Sequence, residues 1–270
     1  MYMIKLIASD MDGTLLDDDK NLPPDFFEIL DRLGRNNIQF VVASGRSYPA
    51  LTPIFGSHSK NMSFICDNGA YIMENGVNAF TGGIDPDTLK EIITVCHEKL
   101  PEAYLVLCGK NGLYCTDRYK PRSQKELGFY YNSRTVLDDL TTVDDVIFKI
   151  AIYDENDPQK YSYPVLKEIY GDSLSLVVSG HLWMDIMRKG ISKGTAMENI
   201  QRSTGVSHDE TMAFGDFYND VDLLKSAGYS FVMENANEDM KQYGRFIAAD
   251  NNSGGVTKAI RKYLDDNGLM

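Results

Sequence analysis

The sequence lacks an uninterrupted apolar run of the roughly 20 residues that a membrane-spanning helix needs, so we expect no membrane partner. Its first residues, Met1–Lys5, lead into a strand-like run rather than a signal peptide, which makes a cytoplasmic location the default expectation. Cysteine is scarce and shows no CxxC spacing, so we expect reduced thiols with structural roles. The four cysteines are Cys66, Cys96, Cys108 and Cys115.

Positive charge is also in deficit, with 27 Lys and Arg against 39 Asp and Glu. The resulting net charge of −12 argues against a nucleic-acid-binding surface, because phosphate backbones are bound by clustered Lys and Arg. The same field repels anionic metabolites. Any phosphate site must therefore be built locally, from a metal, a lysine and helix-start amides. Nothing in the composition indicates an oligomeric state.

What the sequence does contain is an alternation of apolar strand-like runs and amphipathic helical stretches, from residue 4 to 66 and again from residue 192 onward. This alternation predicts an α/β fold with a Rossmann-like parallel sheet and helices on both faces. The middle of the chain instead has short strands separated by polar turns, which predicts an inserted α+β module. We therefore expect a core of residues 1–81 and 188–270, interrupted by a second domain at residues 82–187.

The first predicted strand, Lys5–Ser9, ends in the segment Asp10–Thr14, which reads Asp-Met-Asp-Gly-Thr. Open α/β sheets bind ligands at this carboxyl edge, and residues i and i+2 can project to the same side. If Asp10 attacks a phosphate, one Mg²⁺ touching both anions would neutralise their repulsion. Asp12 could then protonate the leaving oxygen and deprotonate the attacking water. The alternative is a strand end followed by an ordinary turn.

Two further segments could bind the phosphate itself. The predicted strand Phe40–Ala43 ends in Ser44–Arg46, where a helix should begin, and a hydroxyl with helix-start amides can cradle an anion. A simple helix cap is the alternative. Lys193 is predicted at another helix start, where the helix dipole disfavours a cation by ~0.3–1 kcal/mol. A bound phosphate would explain that placement, and a solvated lysine tolerated at little cost is the alternative.

The predicted strand Thr211–Phe214 places Asp216 at the same edge of the sheet, where a carboxylate suits a hard, oxygen-preferring cation. Asn219 and Asp220 follow and could equally be helix caps. Separate turn and cap explanations would have to hold at all four places at once. The segments together therefore favour a phosphate and metal site.

These segments resemble, in order and spacing, the four motifs of the haloacid dehalogenase-like (HAD) hydrolase superfamily. The Asn68–Ala70 turn and the Ile191–Gly194 helix start are similar to those of its Cof-type sugar-phosphatase branch. The resemblance spans the whole chain. It implies a HAD core and, at residues 82–187, a cap domain that closes over the substrate and selects it.

The resemblance also implies a role for each residue. Asp10 would form an aspartyl-phosphate, Asp12 would act as acid and base while its main-chain carbonyl ligates Mg²⁺, and Asp216 would complete the metal ligands. Asp220 would orient the metal's water or Lys193. The phosphate would be held by Ser44, the Gly45 amide, Lys193 and Asn219. Possible substrate contacts are Arg46, Asn68, His181, Trp183, Lys120 and Arg122, although cap core or solvated surface is the favoured reading of the last four.

The implied function is Mg²⁺-dependent hydrolysis of small phosphorylated metabolites, such as sugar phosphates. Asp12 separates this activity from the superfamily's transport ATPases and dehalogenases, which need not protonate an alkoxide leaving group. A phosphomutase and a non-catalytic phosphometabolite-binding protein stay open as alternatives. One departure is Asp185, where relatives more often carry Glu, and the shorter side chain could alter a cap contact.

Overall fold

The computed structural model describes residues 3–117, 134–179 and 181–270. It divides into two compact units, residues 1–80 with 192–270 and residues 81–191. Lys120 and Arg122 lie outside the described residues. No described helix has the length and apolar content needed to cross a membrane.

The first unit is built on an eight-stranded sheet in the order β14-β13-β12-β1-β2-β3-β4-β5. All of its pairs from β14 to β3 are parallel, and β4 runs antiparallel to β3. The strands are β1 (Leu6–Ser9), β2 (Gln39–Ala43), β3 (Ser63–Cys66), β4 (Tyr71–Glu74), β5 (Val77–Thr81), β12 (Thr211–Gly215), β13 (Tyr229–Met233) and β14 (Phe246–Ala248).

Helices cover both faces of this sheet. They are α1 (Phe26–Arg35), α2 (Tyr48–Phe55), α5 (Lys193–Thr204), α6 (Val221–Lys225) and α7 (Gly255–Asp266). Helix α1 buries Phe26, Ile29 and Leu33, which recur at the spacing of one helical face, and these residues share a core with α2 and α7. Residues of α5 and α6 form a separate apolar cluster with the strands. The central strands β1 and β12 are buried throughout, as expected for a parallel sheet covered on both sides, and the predicted fold class is confirmed.

The second unit contains a six-stranded sheet in the order β10-β11-β9-β6-β7-β8, in which only the β7–β8 pair is parallel. Its strands are β6 (Tyr104–Gly109), β7 (Leu113–Cys115), β8 (Thr135–Val136), β9 (Ile147–Tyr153), β10 (Leu174–Val178) and β11 (Trp183–Arg188). Helices α3 (Pro86–Lys99) and α4 (Ser162–Tyr170) pack their apolar residues against one face. The other face carries a smaller cluster that includes Tyr104, Tyr153 and Trp183.

Strand pairing corrects the predicted second boundary. Strand β11 continues to Arg188, which pairs with Leu174, so a boundary after residue 187 would cut a strand of the second sheet. The second unit instead runs from Thr81, the last residue of β5, to Ile191. The shorter Asp185 has a local role in this sheet, since its buried carboxylate lies 3.5 Å from the buried Lys149 ammonium.

The β4–β5 hairpin was not predicted. Asn75 and Gly76 connect its strands with φ values of 49° and 78°, which suit the type I′ turns that match strand twist. The short strands β8 and β14 were also missed, because two or three residues are too few to show a period.

Helices α5 and α6 approach each other closely at Gly194. A Cβ atom on Gly194 would lie 2.5 Å from the main-chain carbonyl carbon of Asp222. Backbone atoms cannot move aside as a flexible side chain can, so only glycine fits. This contact fixes the first turn of α5, which carries Lys193.

Replacing Gly194 with alanine should therefore lower the free energy of unfolding by about 1–3 kcal/mol, the usual cost of overpacking. Gly34 is the matched control, because it lies in α1 with nothing within 4 Å of a built Cβ atom. Gly34→Ala should instead stabilise the protein by about 0.5–1 kcal/mol. Urea unfolding of both variants measures the difference, and equal effects would contradict the assigned contact.

Candidate active site

The carboxyl ends of neighbouring parallel strands bring the predicted residues together. Asp10 follows β1 and Asp216 follows β12, and these strands pair in parallel with Ser9 opposite Phe214. Ser44 follows β2, the neighbour of β1 on its other side. The backbone ladder continues past the strands, since Asp10 N donates to Phe214 O at 3.1 Å. The sheet itself therefore sets the spacing of these side chains.

Lys193 lies at the centre of the cluster. Its ammonium is fully buried and donates to Asp10 Oδ1 and to Asp220 Oδ1, each at 2.6 Å. At the start of α5, the backbone amide of Thr195 already has a partner in the helix's own N-cap, because it donates to Ser192 Oγ at 3.1 Å. The Lys193 side chain is thus directed to the two carboxylates rather than to solvent.

Burial and neighbouring charges both shift the pKa values of Asp10 and Lys193. Burial and the neighbouring Asp220 raise the pKa of Asp10, while Lys193 opposes that rise. Burial by itself would lower the pKa of Lys193, but the carboxylates of Asp10 and Asp220 raise it above its usual range. Lys193 therefore stays an ammonium and offsets part of the cost of burying an ionised Asp10.

Asp220 organises the turn that follows β12. Its Oδ2 atom accepts from the backbone amides of Asp216 at 3.0 Å and Phe217 at 3.2 Å, while its Oδ1 atom accepts from Lys193. Both of its oxygens are therefore engaged, and the side chain is completely buried. Asp220 therefore makes no side-chain cap bond to helix α6, the alternative considered from sequence, and instead joins the preceding amides to Lys193.

Three carboxylates could hold a metal ion. Asp10, Asp216 and Asp220 each offer an oxygen, and these atoms lie within 4.8 Å of one another. Asp216 Oδ1 accepts from Thr14 Oγ1 at 2.7 Å. Asp10 and Asp216 each keep one oxygen that accepts no hydrogen bond from a described residue, whereas Asp220 does not. The free oxygens of Asp10 and Asp216 are therefore the side-chain donors available to a metal, and carboxylate oxygens fit Mg²⁺.

The Asp12 side chain is not part of that cluster. Arg46 donates to both of its oxygens, Nε to Oδ2 at 2.8 Å and Nη2 to Oδ1 at 2.6 Å, and Lys20 Nζ adds a bond to Oδ1 at 2.9 Å. Burial would raise the pKa of Asp12, but Arg46 and Lys20 together lower it. The structure thus places Arg46, predicted as a possible substrate contact, on the proposed acid and base.

Sequence reasoning missed Lys20. Its φ of 67° falls in a turn in which Lys20 N donates to Asp17 O, so the acidic run at residues 17–19 is part of a turn. The turn is fixed from far away in sequence, because Asp18 accepts hydrogen bonds from the side chains of Asn251 and Asn252. No local sequence signal could have placed the Lys20 ammonium beside Asp12.

The remaining predicted residues fall into two groups. Ser44 is buried, with its Oγ accepting from Arg46 N at 3.1 Å, and Asn219 Nδ2 donates to Asn68 Oδ1 at 3.1 Å. His181 and Trp183 belong to the second unit. His181 is exposed, and the half-buried Trp183 ring packs edge-on against Tyr153 with centroids 5.1 Å apart.

The electrostatics of Asp216 generate a test that needs no substrate. Burial and Asp220 raise its pKa from 3.8 to about 6, so between these values the folded chain holds a proton that the unfolded chain has lost. This carboxyl's contribution to stability therefore falls as pH rises from about 4 to 6. In EDTA, Asp216→Asn should be more stable than wild type at pH 7 and equally stable near pH 4.

Urea unfolding across this pH range measures the effect. The amide can still accept from Thr14, so packing is kept. Adding Mg²⁺ at pH 7 should stabilise wild type more than the variant, since a ligand stabilises the state that binds it. A wild type that equals or exceeds the variant in EDTA at pH 7 would contradict this account of Asp216.

Comparison with known proteins completes the description of the site. A model of the haloacid dehalogenase-like hydrolases matches residues 7–260. The 5-amino-6-(5-phospho-D-ribitylamino)uracil phosphatase YbjI of Escherichia coli (strain K12) is 31% identical, over 97% of this chain and 96% of its own. The HMP-PP phosphatase of Klebsiella pneumoniae (strain 342) is 28% identical, over 88% and 87%. The crystal structure of a Streptococcus mutans UA159 protein superposes with a TM-score of 0.90 at 29% identity, covering 97% of this chain and 99% of that one.

Proposed function

The chain belongs to the haloacid dehalogenase-like hydrolase family, in the Cof-type branch that its motifs indicated, and from this we propose that it is a Mg²⁺-dependent phosphatase of small phosphorylated metabolites. The observation that carries the proposal is the buried Lys193 ammonium, which holds one oxygen of Asp10 and leaves the other without a hydrogen bond from the described residues. The relatives named as phosphatases support phosphomonoester hydrolysis.

In the first step, the open oxygen of Asp10 attacks phosphorus and the bond from phosphorus to the leaving oxygen breaks. Asp12 gives its proton to that oxygen, so the products are an aspartyl-phosphate and an alcohol. Both Asp12 oxygens are held by Arg46 and Lys20 in this structure. Because Arg46 and Lys20 also lower the pKa of Asp12, we infer that Asp12 releases at least one of them, both to take up the proton that it donates and to reach the leaving group.

In the second step, Asp12 takes a proton from water as the water oxygen attacks phosphorus. The aspartyl bond breaks, which returns the Asp10 carboxylate and releases inorganic phosphate. Lys193 contacts Asp10 before and after this cycle, so the nucleophile stays oriented while its charge changes. Asp220 holds Lys193 from the far side.

The phosphoryl oxygens would be bound by the Ser44 hydroxyl, the Gly45 amide, Lys193 and Asn219. Asp10 and Asp216, with the Asp12 carbonyl, would hold Mg²⁺. When bound, the ion neutralises the repulsion between the carboxylate nucleophile and the anionic substrate. Because the net charge of −12 repels such substrates, this local neutralisation has to come from the site itself.

Asp10→Asn tests the nucleophile. The amide can still lie beside Lys193 but cannot form an acyl phosphate, so hydrolysis of p-nitrophenyl phosphate should fall by about 10³-fold or more. Asp19→Asn is the matched control, because Asp19 is an exposed carboxylate of the 17–21 turn and should leave the rate unchanged. Near-wild-type turnover in a folded Asp10→Asn protein would refute the mechanism. A sugar bisphosphate requirement with isomerised product would indicate a phosphomutase instead.

Asp12→Asn tests the proton donor through the leaving group. Nitrophenolate leaves without a proton, whereas a sugar alkoxide does not, so kcat/KM should fall much more for a sugar phosphate than for p-nitrophenyl phosphate. The value of kcat/KM reports only the steps up to leaving-group release, so hydrolysis of the aspartyl-phosphate does not affect it. Equal losses for both substrates would contradict the assigned role of Asp12.

A further inference from the structure

The turn after β3 has an unusual backbone. Asp67, Asn68 and Gly69 follow one another with φ values of 48°, 54° and 106°, so two adjacent residues other than glycine lie in the left-handed region. Asp67 and Asn68 are also buried, with exposed fractions of 3% and 5%. Such strained backbone persists only where its surroundings impose it, and it concentrates at functional sites.

The surroundings of this turn are the proposed phosphate-binding segments. Asp67 N donates to Arg46 O and Asn68 N donates to Ser44 O, both at 3.0 Å. At Gly69 a Cβ atom would lie 2.3 Å from Ser192 O, so the chain passes against the cap of the helix that carries Lys193. The turn is therefore fixed against both the Ser44–Arg46 loop and the start of α5.

The Asn68 side chain lies between two residues proposed to bind phosphate. Its Oδ1 atom accepts from Asn219 Nδ2 at 3.1 Å, and its Nδ2 atom lies 3.4 Å from the position of a Cβ atom on Gly45. Among the described residues, Nδ2 has no hydrogen-bond partner. Although the residue as a whole is 95% buried, the Nδ2 atom itself is accessible, so a ligand that enters the site can meet this donor.

We infer that Asn68 binds the transferred phosphoryl group directly, with its Nδ2 donating to a phosphoryl oxygen beside Gly45 and Asn219. The inference rests on the proposed function, and it assigns Asn68 to the phosphoryl group rather than to the variable part of the substrate. This role would account for the strained backbone, which places a neutral donor beside the carboxylates of the site. A neutral amide adds a hydrogen bond there without competing with Lys193 for Asp10.

The affinity for inorganic phosphate in Mg²⁺ buffer, measured by calorimetry without turnover, tests this assignment. Asn68→Gly keeps the left-handed backbone but removes the donor, so the dissociation constant should rise by about 10-fold or more. Asn68→Asp keeps an acceptor for Asn219 but replaces the donor with a carboxylate, so it should weaken binding further.

The exposed Asn75 supplies matched controls, because its φ of 49° is similar and it lies in the β4–β5 hairpin. Asn75→Gly and Asn75→Asp should leave the phosphate affinity unchanged. If Asn68→Asp binds phosphate like wild type while Asn68→Gly does not, Asn68 acts only by orienting Asn219 and the inference fails. Unchanged affinity in both Asn68 variants also overturns it.

The outcome is separable from that of the proposed chemistry. Hydrolysis that is lost in Asp10→Asn while both Asn68 variants keep wild-type phosphate affinity would refute this inference alone. Hydrolysis that survives in Asp10→Asn would refute the assignment of Asp10 as the nucleophile. The phosphate affinities of the Asn68 variants would still decide whether Asn68 binds phosphate.

Discussion

The contact on which the site depends is the buried Lys193 ammonium between Asp10 and Asp220. Oxygens of Asp10, Asp216 and Asp220 lie within 4.8 Å of one another, and without an internal cation such a group would be forced to take up protons. A protonated Asp10 could not attack phosphorus. Lys193 opposes protonation of Asp10 by counteracting the rise in its pKa that burial and Asp220 cause, and Asp220 shares the same ammonium. The remaining negative charge makes the cluster a candidate site for a divalent cation.

Strand pairing and close helix packing place these side chains together. Parallel pairing of β12, β1 and β2 puts Asp216, Asp10 and Ser44 at one edge, and the close contact at Gly194 fixes the helix that carries Lys193. The strained turn at Asp67 and Asn68 is the exception, because its conformation is imposed by the loops around it. Rigid elements therefore hold the charged groups, while a strained turn supplies a neutral donor beside them.

The strand-end pattern was enough to locate Asp10, Lys193 and Asp216 from sequence, since each follows an apolar run or begins a helix. It could not show that the Asp12 side chain is turned to Arg46 and Lys20. That contact depends on a turn fixed by Asn251 and Asn252, more than 200 positions away, and local periodicity carries no such information. The Asn75-Gly76 signal of the missed hairpin was visible, whereas the second domain boundary depended on the pairing of Arg188 with Leu174.

The most direct test of the central claim is chemical trapping of the acyl phosphate. Protein is quenched in acid during turnover of a sugar phosphate and then reduced with borohydride. Peptide mass spectra should show homoserine at position 10, because borohydride reduces an aspartyl-phosphate but not a free carboxylate. Asp10→Asn protein should show no such conversion at any position. Homoserine at another aspartate, or sustained turnover with no reducible acyl group, would contradict the account.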